Sequence, residues 1–158
     1  MIRIVACGTV REKWLTDGIK EYLKRLSAYD KIEITEVEDE KAPASNSNAE
    51  NLQVINKEGE KILNRITRQE YVILLDLGGK EMDSVQFSET LDRLYAQGQT
   101  KLTFVIGGSL GVSDDLRKRA DMRWQISEMT FPHQLCRLIV LEQIYRAFKI
   151  IHHEPYHK

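Results

Sequence analysis

The sequence predicts an α/β fold, in which a mostly parallel sheet has helices on both faces. A single domain is expected over residues 1–158. Apolar runs typical of buried strands alternate with segments of helical period along the whole chain. The run Tyr71-Val72-Ile73-Leu74-Leu75 is apolar throughout, which is typical of a strand covered on both faces. A length of 158 residues is enough to bury a core without disulfides or a metal.

The elements follow one another in strict alternation. Strands are predicted at about residues 2–7, 32–37, 71–75, 102–106 and 124–126. Helices are predicted at about residues 11–26, 48–66, 84–97, 113–120 and 133–151. Asn48 and Ser113 are the expected caps of two helices, and Gly78-Gly79 is expected to end the third strand. The second helix is expected to bury Leu52, Ile55, Ile62, Leu63 and Ile66.

Composition and charge describe an ordinary globular protein, with 42% hydrophobic and 30% charged residues and a net charge of −1. The charge is unevenly spread, because residues 1–27 carry six Lys or Arg against three acids. A local basic face for a nucleic acid is therefore possible, and ordinary solvated helix faces explain the same charges. Cys7 and Cys136 are expected to be packed free thiols. Neither a signal peptide nor a spanning segment is recognisable, so we expect a cytoplasmic protein with no membrane partner.

The last helix is too apolar for a helix with one covered face. Its hydrophobic residues wrap well beyond the usual stripe. They are Leu135, Leu138, Ile139, Val140, Leu141, Ile144, Tyr145, Phe148, Ile150 and Ile151. We therefore expect a homodimer through this helix, with deep burial in its own domain as the alternative.

Three loops follow strands and meet at the carboxyl edge of a parallel sheet, where open α/β folds bind ligands: residues 76–80, 107–112 and 127–133. The chain has no phosphate-binding G-x-x-x-x-G-K-[ST], no dinucleotide G-x-G-x-x-G and no nucleophile elbow. His152, His153 and His157 lack the partners of a metal site, so no metal is expected. His133 is near a helix start, where capping is its simplest role.

A nucleoside-type cofactor without a phosphate chain, such as S-adenosylmethionine (SAM), fits these loops. Glycines let the backbone approach a flat ligand, and Leu75, Leu110, Met129 and Phe131 are placed to sandwich an adenine. A sulfonium requires no lysine.

At these loops the whole chain resembles the small bacterial SPOUT methyltransferases of the RlmH type. The matching segments are Leu74-Leu75-Asp76-x-x-Gly79-Lys80, Phe104-Val105-Ile106-Gly107-Gly108-x-x-Gly111, Met129-Thr130-Phe131-Pro132-His133, Leu141-Glu142-Gln143-Ile144-Tyr145-Arg146-Ala147 and Pro155-Tyr156-His157-Lys158. The chain departs from the family pattern at Leu110, where relatives often have a polar residue.

The resemblance implies a carboxyl-terminal trefoil knot, a knotted homodimer and SAM-dependent methylation. The implied target is N3 of a pseudouridine in large-subunit (23S) ribosomal RNA of the assembled ribosome. The implied SAM contacts are Leu75, Gly107, Ile126, Ser127, Glu128, Met129, Thr130 and Phe131.

The carboxyl-terminal tail is expected to carry the catalytic groups. His157 is the candidate general base or substrate-positioning group, because an imidazole titrates near neutral pH. Tyr156 is placed to stack on the target base, and Lys158 or Arg137 to hold a phosphate or a base carbonyl. The tail is expected to reach the partner's pocket. A flavodoxin-like redox or nucleotide-binding domain and a non-enzymatic ribosome-associated factor remain alternatives.

Overall fold

The computed structural model describes all residues, 1–158. Its centre is a parallel five-stranded sheet in the order β2-β1-β4-β3-β5. The strands are β1 (Ile2–Cys7), β2 (Ile32–Val37), β3 (Tyr71–Glu81), β4 (Leu102–Ile106) and β5 (Met122–Gln125). The helices are α1 (Lys13–Leu26), α2 (Asn48–Leu63), α3 (Ser84–Ala96), α4 (Asp114–Arg119) and α5 (His133–Ile151). The predicted α/β fold with its parallel sheet is confirmed.

Side chains that alternate along the strands fill two separate cores, one on each face of the sheet. Ile2, Ile4 and Ala6 of β1 point to a core that α1, α3 and α5 cover. Val5 and Cys7 point to a smaller core that α2 and α4 cover. The helices therefore lie on both faces, as expected for a sheet with apolar strands.

The structure corrects several boundaries: α2 ends at Leu63 and not at residue 66, and β5 spans Met122–Gln125 and not residues 124–126. β3 does not end at Gly78-Gly79 but continues to Glu81, and its pairing with β5 shifts register between Leu75 and Lys80. A Cβ on Gly79 would lie 2.8 Å from the carbonyl carbon of Arg123, so a side chain is excluded where the strands pair again. The glycine pair thus marks a bulge at the carboxyl edge of the sheet.

The second helix also differs from its prediction. Ser47, not Asn48, is the N-cap of α2, and its side chain accepts a hydrogen bond from the backbone N–H of Glu50. Leu52 is 54% exposed, whereas Glu58 and Gly59 are buried. The inward face of α2 therefore carries Glu58, which contacts the Cys7 thiol, together with the buried Ile62.

Helix α5 packs against both α1 and α3, and its residues match the predicted range. Val140, Leu141, Ile144, Ala147 and Phe148 are buried in the larger core. Other apolar side chains of the helix remain half-buried in the single chain: Leu135, Leu138, Ile139, Ile150 and Ile151. No helix of the chain has both the length and the apolar content that a membrane crossing requires.

Candidate functional site at the carboxyl edge of the sheet

The three predicted loops converge on one cavity of about 490 Å³ at the carboxyl edge of the sheet. The cavity lies outside the ends of β3, β4 and β5, and the amino-terminal residues of α5 close one side. Its walls include Leu75, Ile106, Ile126, Phe131 and Cys136. An apolar cavity of this size with a few polar groups is typical of a small-molecule site.

Seven of the eight predicted cofactor residues line this cavity: Leu75, Gly107, Ile126, Ser127, Met129, Thr130 and Phe131. Glu128 does not. It lines an adjoining surface pocket with Glu81 and Asp83, and this pocket shares Ile126, Ser127 and Met129 with the cavity. Leu110, expected beside an adenine, is also absent from the cavity wall.

The glycine loop after β4 is packed too tightly for side chains. A Cβ on Gly107 would lie 2.7 Å from Cγ1 of Val112 and 3.0 Å from the carbonyl oxygen of Gly111. Gly111 has a φ of 110°, which glycine adopts without strain. The loop therefore presents its backbone to the cavity.

A buried carboxylate supports this loop from below. A Cβ on Gly108 would lie 2.6 Å from Oε1 of Glu58. The Glu58 carboxylate accepts hydrogen bonds from the Cys7 thiol (3.1 Å) and from the backbone N–H of Glu40 (3.0 Å). Burial and the neighbouring Glu58 raise the pKa of Cys7, so this thiol stays protonated. The apolar periodicity of α2 does not predict this contact.

A charge cluster borders the cavity at the end of β3. The buried carboxylate of Asp76 accepts hydrogen bonds from Nε of Arg117 and Nε of Arg123, each at 2.8 Å. The carboxylate of Asp76, followed by that of Asp114, raises the pKa of Arg117. Arg117 lines the cavity, yet both carboxylates neutralise its charge. Because α4 supplies Arg117 from 41 residues away, no local sequence pattern indicates this pair.

The comparisons with known proteins agree with this geometry. A family profile described as "Predicted SPOUT methyltransferase" matches residues 1–157. The chain belongs to the SPOUT methyltransferase family. Three similar relatives are each named ribosomal RNA large subunit methyltransferase H and match over 157 residues. That of Desulfitobacterium hafniense (strain DSM 10664 / DCB-2) is 57% identical over 99% of this chain and 98% of its own. Those of Carboxydothermus hydrogenoformans and Enterococcus faecalis are 54% and 51% identical over 99% of both chains.

Solved structures support the fold at low sequence identity. A probable methylase family protein from Haemophilus influenzae Rd KW20 superposes with a TM-score of 0.54 at 14% identity, over 99% of this chain and 70% of its own. A Legionella pneumophila putative methyltransferase, solved with bound SAM, gives 0.51 at 11% identity, over 93% of this chain and 66% of its own. The architecture of this SPOUT methyltransferase is thus shared with larger methylases.

Arg137 does not lie where the sequence led us to expect it. The side chain is 1% exposed. Its guanidinium donates hydrogen bonds to the carbonyl oxygens of Cys7 (2.9 Å) and Gly8 (2.5 Å), and to Glu36 (2.6 Å). In this SPOUT methyltransferase Arg137 therefore fixes the end of β1 to α5, and it is not free to hold a phosphate.

The tail that carries Tyr156, His157 and Lys158 follows α5 and folds back along it, so that Tyr156 reaches Glu142. The hydroxyl of Tyr156 donates to Glu142 (3.0 Å), and the ring of Tyr156 lies 4.8 Å from the guanidinium carbon of Arg146. Nδ1 of His157 lies 3.1 Å from Nη1 of Arg146. Burial, followed by hydrogen bonds to Tyr22 and Glu142, raises the pKa of Tyr156. Glu142 and Arg146 lie about 14 and 20 Å along α5 from His133, and no tail residue lines the cavity of its own chain.

His133 is the only histidine that lines the cavity. It begins α5, and its side chain caps no backbone N–H. The expected capping role is therefore wrong. No group of three or more His, Cys, Asp and Glu side chains lies close enough to hold a metal ion.

Proposed function

We propose that this chain is a SAM-dependent methyltransferase that modifies N3 of a pseudouridine in large-subunit ribosomal RNA of the assembled ribosome. The observation that carries the proposal is the cavity, whose walls combine apolar side chains with glycine-loop backbone and contain no lysine. The relatives named ribosomal RNA large subunit methyltransferase H support the same substrate class. The flavodoxin-like and non-enzymatic alternatives are not favoured.

The cavity residues fit an adenosyl sulfonium better than a nucleotide phosphate chain. Leu75, Ile126 and Phe131 offer apolar contacts for an adenine, and the backbone around Gly107 and residues 126–130 offers hydrogen bonds. The one arginine on the wall is already paired with carboxylates, so no free cation repels a sulfonium. When bound, SAM supplies an electrophilic methyl group. The residues of the chain orient that group and exclude water.

The exposed face of α1 is the proposed contact with RNA backbone. Lys13, Lys20, Lys24 and Arg25 are exposed on this helix. Lys13 and Arg25 form ion pairs with acids one turn away, Asp17 and Glu21. Such exposed pairs are weak, so phosphates can replace the carboxylates. This surface fits a cytoplasmic protein with the ribosome as its partner.

We place the active site between two copies of the chain. The half-buried apolar residues of α5 form the proposed homodimer contact, in a chain folded with the trefoil knot that the family implies. Because no tail residue lines the cavity of its own chain, we assign the tail to the partner's cavity. There Tyr156 stacks on the target base, and His157 and Lys158 contact the RNA. Sedimentation at micromolar concentration tests the dimer, and a monomer would contradict it.

Mixed dimers test the shared site most sharply. Gly107→Ala weakens SAM binding by the cavity of one chain, and deletion of residues 155–158 removes the tail of another. At a SAM concentration well below the Kd of the Gly107→Ala variant, each variant alone should be nearly inactive. After co-refolding of equal amounts, half of the dimers are mixed and each holds one complete site, so about a quarter of wild-type activity should return. No recovery, with mixed dimers verified by mass, would refute a site made by two chains.

Calorimetric titration with SAM followed by mapping of modified ribosomal RNA nucleotides tests the function itself. Ribosomes from cells that lack the protein should gain one N3-methylated pseudouridine when the purified protein and SAM are added. Absence of SAM binding would favour a non-enzymatic ribosome factor. A bound flavin, visible in the absorption spectrum, would favour the redox alternative.

A further inference from the structure

His133 is placed in the cavity without a structural task. Its ring lines the wall beside Phe131, Pro132 and Cys136. Neither ring nitrogen forms a hydrogen bond within the chain, and neither is fully buried. Both nitrogens are therefore accessible, in a residue that lines the cavity. A polar group in this position is available to a ligand.

Fixed neighbours hold the histidine at this place. One turn later on α5, Arg137 is fixed by the carbonyl oxygens of Cys7 and Gly8. Gly8 has a φ of 88°, and a Cβ at this residue would lie 3.5 Å from Nε2 of His133 and 3.8 Å from Oδ2 of Asp39. The end of β1 therefore sets the position of the imidazole beside the cavity.

The surroundings keep the imidazole neutral. Burial, followed by the positive charge of Arg137, lowers the pKa of His133 below its ordinary value of 6.5, against the opposing influence of Asp39 and Glu58. The charged or titratable groups that act on the imidazole or line the same cavity come from the loop after β2, from α2, from α4, from β3 and from α5. They are Asp39, Glu58, Arg117, Asp76, Cys136 and Arg137. A neutral imidazole can accept a proton at neutral pH.

We infer that His133 is the catalytic residue that receives the N3 proton of the target nucleobase, an inference that rests on the proposed function. His157, supplied by the partner's tail, then positions the base and takes no proton. His133 lies on the wall of the proposed SAM cavity, whereas His152, His153 and His157 of the same chain do not line it.

The proposed reaction moves one proton to His133 and one methyl group to N3. The N–H bond at N3 breaks, and its proton goes to a ring nitrogen of His133, giving an imidazolium. The electron pair left on N3 forms the new bond to the methyl carbon. The electrons of the carbon–sulfur bond remain on the sulfur, which becomes a neutral thioether. The imidazolium returns its proton to water after the product leaves.

The test compares single-turnover methylation of ribosomes by wild type, His133→Gln and the control His153→Asn between about pH 5 and pH 8. His153 is exposed and has a φ of 55°, which asparagine tolerates. In wild type the rate should fall as the pH drops below the imidazole pKa. His133→Gln should be slower by about a hundredfold or more and should lose that dependence. It should still bind SAM in calorimetry, and His153→Asn should match wild type.

A second measurement does not depend on activity. NMR titration of the folded wild-type protein should show a His133 imidazole pKa below 6.5, coincident with the kinetic midpoint. A His133→Gln rate equal to wild type, or a kinetic midpoint that does not coincide with that imidazole pKa, overturns the inference. Loss of SAM binding by His133→Gln would assign the ring to the cofactor and would also overturn it. Wild-type protein that binds SAM but methylates no ribosomal RNA refutes the proposed function itself, which distinguishes the two failures.

Discussion

Replacing Arg137 by methionine tests whether this residue holds the fold or the substrate. The guanidinium donates to two carbonyl oxygens and pairs with Glu36, at distances of 2.5 to 2.9 Å. Methionine keeps much of the apolar stem but leaves the Cys7 and Gly8 carbonyl oxygens without this donor. Each buried group left without its partner costs about 1–3 kcal/mol.

Two features reduce the expected loss of stability in the Arg137→Met variant. Glu36 is 41% exposed in its side chain, so water solvates it once the arginine is gone. The buried Nε of Arg137 has no hydrogen-bond partner, so removing it relieves a desolvation cost. We therefore expect Arg137→Met to lower the free energy of unfolding by about 3 kcal/mol, equivalent to about 6–12 °C in melting temperature for a domain of this size.

Urea denaturation of the SAM-free protein measures this change, with Lys20→Met on the exposed face of α1 as the control. The control should change the free energy of unfolding by less than about 0.5 kcal/mol. If Arg137→Met unfolds like wild type and yet loses methylation, the guanidinium serves the substrate, and its role as a tie between β1 and α5 is refuted.

Three further predictions follow from the site, the amino-terminal edge of the sheet and α1. Gly107→Ala should weaken SAM binding by about 5- to 150-fold, because the new Cβ crowds Val112 at an overpacking cost of about 1–3 kcal/mol. An unchanged affinity for SAM in calorimetry would contradict this prediction. Although burial raises the pKa of Glu70, hydrogen bonds from Thr103 and from the Thr67 backbone, with the charge of Arg3, bring it below 4.5. The stability from this ionised carboxylate is present above pH 4.5 and is lost as the pH falls through the lowered pKa. Glu70→Gln should therefore reduce the fall in the free energy of unfolding at acid pH, measured by urea unfolding. An unchanged fall at acid pH would be inconsistent with this role of Glu70. Ribosome affinity should fall with added salt, and each α1 lysine replaced by glutamine should reduce the slope by about one; a filter-binding slope near zero would rule out phosphate contacts on this helix.

The elements were predictable because each strand carries its own apolar run. β1, β2 and β4 have their predicted bounds, and so does α5. Prediction failed where a long-range contact overrides local pattern. Leu52 fits a helical stripe by spacing but is exposed, because the Glu58 carboxylate is the group that meets the Cys7 thiol and the loop at Gly108.

The site was predictable from its loops but not from its charges. Parallel strands bring their carboxyl ends to one edge, so the loops containing Leu75, Gly107 and Phe131 had to converge. The pairing of Asp76 with Arg117 joins residues far apart in the chain. Arg137 illustrates the same limit, because nothing in its local sequence distinguishes a core arginine from one that faces RNA.

A crystal structure of the protein grown with SAM shows whether the cavity at the carboxyl edge of the sheet holds the cofactor. We expect one SAM per chain, with its adenine against Leu75, Ile126 and Phe131 and with its sulfonium among the three loop segments. Density for the cofactor at any other surface, or a cavity that stays empty at saturating SAM, would refute this cofactor site.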